Sequence, residues 1–333
     1  MTTIFLTHSP LARENYYGPP ALQALRELGE VRLNPGADPA DPADLIRMAQ
    51  GCQIIVSSRL AAAPAQVFDA LPDLVAFCRV AVDIRNVDVA AASHHGVLVT
   101  HATPGFAASV AEWIVGVMID ASRDISRSAA AYWRGEAPAI TMGRELRGAT
   151  LGIIGHGHIG GYLAPLGRAF GMRVVIADPK PEQDPGDLPR LPLGQLLAES
   201  DYVVCLAPAN AQTANLIDAA ALRRMKRDAF FINASRGELV DEDALRVALD
   251  EGWIAGCAMD VGRAQDQMPT AALAGHPKVI ATPHIGGLTP AAALHQAMDT
   301  VGQVRAIVRG EQPPHAVNFA DASRLRRLSS TLI

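Results

Sequence analysis

The stretch Leu151-Gly152-Ile153-Ile154-Gly155-His156-Gly157-His158-Ile159-Gly160, continued to Val174-Val175-Ile176-Ala177-Asp178, decides the fold. An apolar run leads into a Gly-x-Gly-x-x-Gly turn, and after a helical stretch a second apolar run ends on an acid. Each glycine has a physical reason: a tight turn, close backbone approach to a pyrophosphate, and close packing of helix on sheet. The diphosphate then sits at the helix N-terminus. Asp178 stands about 20 residues further on, where a carboxylate accepts from both ribose hydroxyls of an adenosine and repels a 2′-phosphate. The pattern predicts a dinucleotide site that favours NAD(H) over NADP(H).

Working outward, a chain of 333 residues that is 49% hydrophobic can bury a large core. At roughly 150 residues per domain it suggests two domains. A net charge of −5 without long basic runs argues against nucleic acid as the main partner. The four cysteines (Cys52, Cys78, Cys205, Cys257) are far apart, and three lie in or at the end of apolar runs. They read as buried thiols in a reducing compartment, with no structural metal expected. The N-terminus has no signal pattern, and the longest apolar segment, Val110 to Ile119, carries Glu112 and is too short to span a bilayer. A cytoplasmic protein without a membrane partner is expected.

From Thr3 to His101 short apolar runs alternate with helical ones: Ile4–Leu6, Ile54–Val56, Leu74–Val82 and Val97–Thr100 read as strands. Such alternation predicts a parallel sheet covered by helices. A long helical segment follows, from Ser109 towards Trp133. After the glycine turn, strands are expected at Tyr202–Leu206, Ala229–Ile232, Ala255–Met259 and Val279–Ala281, and a last helix between Pro290 and Gly310. The expectation is an α/β protein with two doubly wound parallel sheets. Pro165 falls inside the helix after the glycine turn, where a kink is expected.

Hydride transfer to a carbonyl needs a proton donor and a cation to hold the substrate. Arg236, in Asn233-Ala234-Ser235-Arg236-Gly237, stands past a strand at the sheet edge where ligands bind in this architecture, and its fork suits a carboxylate. His284, in Thr282-Pro283-His284-Ile285-Gly286-Gly287, sits in a rigid turn whose glycines permit close approach of a ligand. It is the candidate acid/base.

The glycine turn, Asn233-Ala-Ser-Arg236-Gly237-Glu-Leu-Val240-Asp241-Glu-Asp-Ala-Leu245, Gly256-Cys-Ala-Met-Asp260-Val261 and Thr282-Pro-His284-Ile-Gly286-Gly287 together resemble the signatures of the D-isomer-specific 2-hydroxyacid dehydrogenases. The resemblance covers nearly the whole chain. It implies an NAD-binding Rossmann domain (102–289) inserted between two parts of a substrate domain (1–101 and 290–333), an active-site cleft between the domains, and a homodimer. It also implies that Arg236 binds the substrate carboxylate of a 2-hydroxy or 2-oxo acid and that His284 moves the proton. Gly155, Gly157, His158, Ile159 and Gly160 would lie on the pyrophosphate and Asp178 on the adenosine ribose. Pro208 and Thr213 would form the cofactor loop, with Ala234, Ser235 and Arg236 near the nicotinamide ribose, Asp260 on the nicotinamide amide, and His284, Gly286 and Gly287 lining the cofactor side. A turn cap is the other reading of Asp260.

Two departures bear on the chemistry. The family's glutamate, which pairs with the catalytic histidine five residues past the aspartate matching Asp260, is here Gln265, and the proline that should follow arrives late, at Pro269. Asp266 is therefore expected to partner His284, with Gln265 as the neutral alternative. The second departure is in Arg79-Val-Ala81-Val82-Asp83-Ile-Arg85, similar to a substrate loop whose backbone amides bind the carboxylate; Ala81 and Asp83 replace its glycines. Ala81 and Val82 remain the expected substrate contacts there, and Arg85 meets either a second anionic group or a surface carboxylate. Rival readings are a non-catalytic NAD(H)-sensing protein, disfavoured by Arg236 and His284, and an enzyme for a one-carbon or inorganic hydride donor, motivated by Gln265 alone. With the ordered pattern ending near Pro314, no C-terminal regulatory module is expected.

Overall fold

The computed structural model describes residues 2–180 and 185–329, except for the side chains at 266 and 329. The chain divides into two compact units, Met1–Phe106 with Thr289–Ile333, and Ala107–Leu288.

The first unit holds a parallel sheet of β1 (Thr3–Leu6), β2 (Glu30–Leu33), β3 (Ile54–Ser57), β4 (Ala76–Arg79) and β5 (Leu98–His101), in the order β2-β1-β3-β4-β5. Its strands read as unbroken apolar runs because both faces are covered. Ile4, Leu6, Ile54, Val56 and Cys78 point into one core, where Ala297, Val301, Val304 and Ile307 of the helix Pro290–Val308 meet them. Phe5, Ile55, Phe77 and Val99, one residue out of step, point into the other. The sequence pattern does not announce β2: Glu-Val-Arg-Leu alternates exposed and half-buried residues at the sheet edge, so it carries no apolar run to detect.

The second unit holds β6 (Thr150–Ile154), β7 (Arg173–Ala177), β8 (Tyr202–Cys205), β9 (Phe230–Asn233), β10 (Gly256–Met259) and β11 (Val279–Ala281). All neighbours are parallel, in the order β11-β10-β9-β8-β6-β7. The winding direction reverses between β6 and β8, and in such sheets ligands bind in the crevice beyond the strand ends at that switch point. Both sheets are doubly wound and parallel, as the sequence predicts.

The segment after Ser109 is two helices rather than one, Ala107–Arg123 and Ile125–Trp133. Asp124 separates them in the left-handed region (φ 56), which aspartate tolerates better than most residues, and the Asp120 carboxylate accepts from the Ser126 amide at 2.7 Å to start the second helix. The helix His158–Ala169 continues through Pro165, which leaves the Gly161 carbonyl without its ladder donor. All four cysteines are buried and free, and burial pushes the thiols of Cys78, Cys205 and Cys257 up to about 12. Among the described residues no helix is long and apolar enough to cross a membrane.

Candidate active site

At the switch point the glycines allow the tight turn and close packing that their spacing suggests. Gly155 has φ +95, and a Cβ on it would come within 2.8 Å of the Ala207 nitrogen; a Cβ on Gly160 would lie 2.7 Å from the Gly155 carbonyl oxygen. Gly157 caps the helix His158–Ala169 without a side-chain bond, and no acid stands in the first turn. A helix N-terminus built in this way suits an anion. Asp178, just past β7, accepts from the amide of His156 and from that of Lys180, both at 2.7 Å, so its carboxylate is fixed beside the glycine turn. The buried His156 ring keeps its Nδ1 without a hydrogen-bond partner among the described residues, and burial lowers its pKa against the pull of Asp178. Across the crevice, Thr213 Oγ1 donates to the Pro208 carbonyl at 2.6 Å and accepts from the Asn210 amide, closing the loop after β8. These residues fit a dinucleotide: a tight glycine turn packed against neighbouring backbone, a helix N-terminus with no side-chain cap, and a carboxylate oriented beside that turn.

The strand ends next to this crevice carry the titratable groups. At the end of β9, Asn233 builds the turn, its Nδ2 donating to the Arg236 carbonyl at 3.0 Å and its Oδ1 accepting from the Ser235 amide. The Ser235 hydroxyl donates to the Ala207 carbonyl, and half-buried Arg236 donates to the Ser235 carbonyl at 2.8 Å. Gly237 is obligatory, since a Cβ would lie 2.2 Å from the backbone of Gly262.

Asp260 ends β10 and is 4% exposed. Its Oδ1 accepts from Thr282 Oγ1 at 2.6 Å and from the Ile285 amide at 2.8 Å, and its Oδ2 accepts from the Gly286 amide at 2.7 Å. One buried carboxylate thereby shapes the turn of Thr282 to Gly286, where His284 takes a left-handed backbone (φ 57) and donates its amide to the Asp260 carbonyl. Gly286 leaves room for that carboxylate, for a Cβ would sit 2.8 Å from Oδ2. The cap reading of Asp260 describes this geometry, and a second acceptor direction on Oδ2 remains. Arg236 and His284 thus follow β9 and β11, which flank β10 on one sheet edge, about 10 Å apart at the strand axes.

The remaining expected site residues lie on other segments. Ala81 and Val82 lie past β4 in the first unit, half-buried, with the Ala81 carbonyl accepting from the Ala102 amide. Arg85 makes a two-toothed surface pair with Asp83 at 2.8 Å, the carboxylate alternative of its two readings. The exposed Gln265 heads a short 3-10 turn, Gln265–Gln267, and the Asp266 side chain lies outside the described residues. Sequence reasoning passed over the contacts of this turn with Gly237 and Glu238, which join residues about 30 positions apart.

The family model described as D-isomer specific 2-hydroxyacid dehydrogenase, NAD binding domain, matches residues 115–286. A glyoxylate reductase of Korarchaeum cryptofilum is 32% identical over 306 residues, 89% of this chain and 92% of that protein. A D-3-phosphoglycerate dehydrogenase of Synechocystis sp. is 29% identical, over 90% of this chain and 54% of that longer protein. The crystal structure of the TT0316 protein from Thermus thermophilus superposes with a TM-score of 0.85 at 29% identity, covering 95% of this chain and all of that one. The chain belongs to the D-isomer-specific 2-hydroxyacid dehydrogenases, oxidoreductases that use a nicotinamide cofactor on the CH–OH carbon of 2-hydroxy acids.

Proposed function

We propose that the protein interconverts a small 2-oxo acid and its D-2-hydroxy acid with NAD(H), and that glyoxylate is the substrate to try first because several relatives are named glyoxylate reductases. The observation that carries this reading is the Asp260 carboxylate, which fixes the His284 turn two strands from Arg236 at the edge where the glycine cradle opens. Gly155 to Gly160 and Asp178 hold the dinucleotide, with Asp260 Oδ2 free to accept from the carboxamide. When bound, the dihydronicotinamide supplies a hydride to substrate C2. Arg236 clamps the carboxylate with its planar fork, and His284, as imidazolium, gives its proton to the carbonyl oxygen, so a C=O becomes CH–OH.

A homodimer to which the long helical segment after Ser109 contributes belongs to the same reading, supported by the exposure of Tyr132, Trp133, Ile140 and Met142. The test is NADH consumption with glyoxylate and larger 2-oxo acids. His284→Ala should lower kcat ~10²-fold or more on the best substrate while NADH still binds. Turnover near that of the unmodified protein would end the assignment. Within this reading Asp266 supplies the charge that favours imidazolium. Asp266→Asn should therefore lower the pKa that limits reduction at high pH. An unmoved profile, with Gln265→Ala impaired instead, transfers the role to the Gln265 amide.

A further inference from the structure

We propose that Gln267 is a positioning residue for the carboxylate clamp, acting on Arg236 through the Gly237–Glu238 turn; this rests on the reading of Arg236 given above. The segment 262–270 lies on that turn with backbone against backbone, since a Cβ on Gly237 would meet the Gly262 carbonyl at 2.2 Å and the Arg263 nitrogen at 2.8 Å. It is anchored on both sides by one carboxylate: Glu242 accepts from the Arg263 amide at 2.9 Å and from Thr270 Oγ1 at 3.0 Å. The Arg263 guanidinium adds bonds to Asn215 Oδ1 at 2.5 Å and to the Val240 carbonyl at 2.9 Å, tying the segment to both neighbouring loops.

Held in this way, the segment closes on itself through the Gly262 amide and the Gln267 carbonyl, 2.8 Å apart. Gln267 then adopts a left-handed backbone (φ 59) that turns its amide to the clamp. Its Oε1 accepts from the Gly237 amide and its Nε2 donates to Glu238 Oε1, each at 3.4 Å. Both bonds are long, so their effect is to orient two successive residues rather than to hold the fold. The Gly237 peptide follows Arg236 directly, and a small rotation there swings the guanidinium away from where a carboxylate must meet both prongs of its fork.

The left-handed backbone supplies a clean variant. Gln267→Gly removes the amide but suits φ 59, so thermal stability should be kept. With glyoxylate and NADH, Gln267→Gly should raise KM for glyoxylate ~10-fold while kcat changes less than ~3-fold and the Kd for NADH stays put. Gln267→Asn, whose shorter amide tolerates the same backbone, should behave alike. The decisive step is the cycle with Arg236→Ala: if Gln267 acts through the arginine, adding Gln267→Gly to that variant should raise KM by less than ~2-fold more. An unchanged KM in Gln267→Gly, or a full further rise on top of Arg236→Ala, overturns the proposal while leaving the clamp standing. An unchanged KM in Arg236→Ala alone removes the clamp itself, and the positioning role with it.

Discussion

Each of the two parallel sheets sends an arginine out of a strand end, and the two sit in different surroundings. Arg79, the last residue of β4, is 2% exposed, and its guanidinium donates to the carbonyls of Ser58, Arg59, Ala61 and Asp83. Burial lowers its pKa to about 10. It serves as a fastener for two loops, those after β3 and β4. Arg236, three residues past β9, is half-buried and held from behind, by Asn233 on its carbonyl and by the Gly237 packing. Residue type and strand-end position are therefore not enough to mark a binding arginine. The Arg79 guanidinium is buried among loop carbonyls, whereas the Arg236 guanidinium bonds the adjacent Ser235 carbonyl and stays half-buried beyond its strand.

That difference is broken most directly by removing each side chain. Arg79→Ala leaves several buried carbonyls without a donor, at about 1–3 kcal/mol each, so unfolding by denaturant should show a loss of about 3 kcal/mol or more. Arg236→Ala should change stability by under about 1 kcal/mol and instead raise KM for the oxo acid. Equal destabilisation by the two substitutions would erase the distinction.

A second contrast concerns histidines at the strand ends. His8, just past β1, is 2% exposed against the Tyr17 ring, and desolvation lowers its pKa from 6.5 to about 4, with Asp38 opposing and Arg13 and Arg79 adding to the fall. The folded form thus resists a proton that the unfolded chain takes up. The stabilisation is complete above pH 6.5 and is lost as pH falls towards 4, in total about 3 kcal/mol. Denaturant midpoints measured from pH 7 to pH 4.5 should fall less in His8→Gln than in the unmodified protein. Identical slopes would show that His8 is not the group responsible.

The legible parts of this molecule are those whose cause is local. Continuous apolar runs betray β1, β3, β4 and β5 because both faces of that sheet are covered, whereas β2 escapes because an edge strand buries little. The glycine turn, Asp178, Arg236 and His284 stand out as candidates because strand ends in parallel sheets locate them and turn chemistry marks them. The break at Asp124 is hidden, since a single residue switching to φ 56 leaves the apolar spacing of Val110 to Met118 intact. The segment 262–270 is the least readable part. Its geometry comes from bonds to Asn215, Val240 and Glu242, which no spacing rule connects to it.

The smallest expected effect concerns the cofactor, where the second unit's own charges compete. Asp178 is pinned by two backbone amides, and its oxygens retain acceptor directions for ribose hydroxyls. Arg190 lies close, its guanidinium donating to the Asp178 carbonyl at 2.7 Å, and Lys180 is two residues on. Those cations would welcome a 2′-phosphate that the carboxylate repels. Under the proposed role of Asp178 at the adenosine ribose the carboxylate should prevail, since the arginine is engaged with main-chain carbonyls. NADH should then exceed NADPH in kcat/KM by at least ~10-fold, equivalent to about 1.4 kcal/mol. Asp178→Ser should shrink that ratio by releasing the cations to act on the phosphate. Equal efficiency with the two cofactors in the unmodified protein would mean that Arg190 and Lys180 outweigh Asp178, and that an acid at the end of β7 does not by itself exclude NADPH.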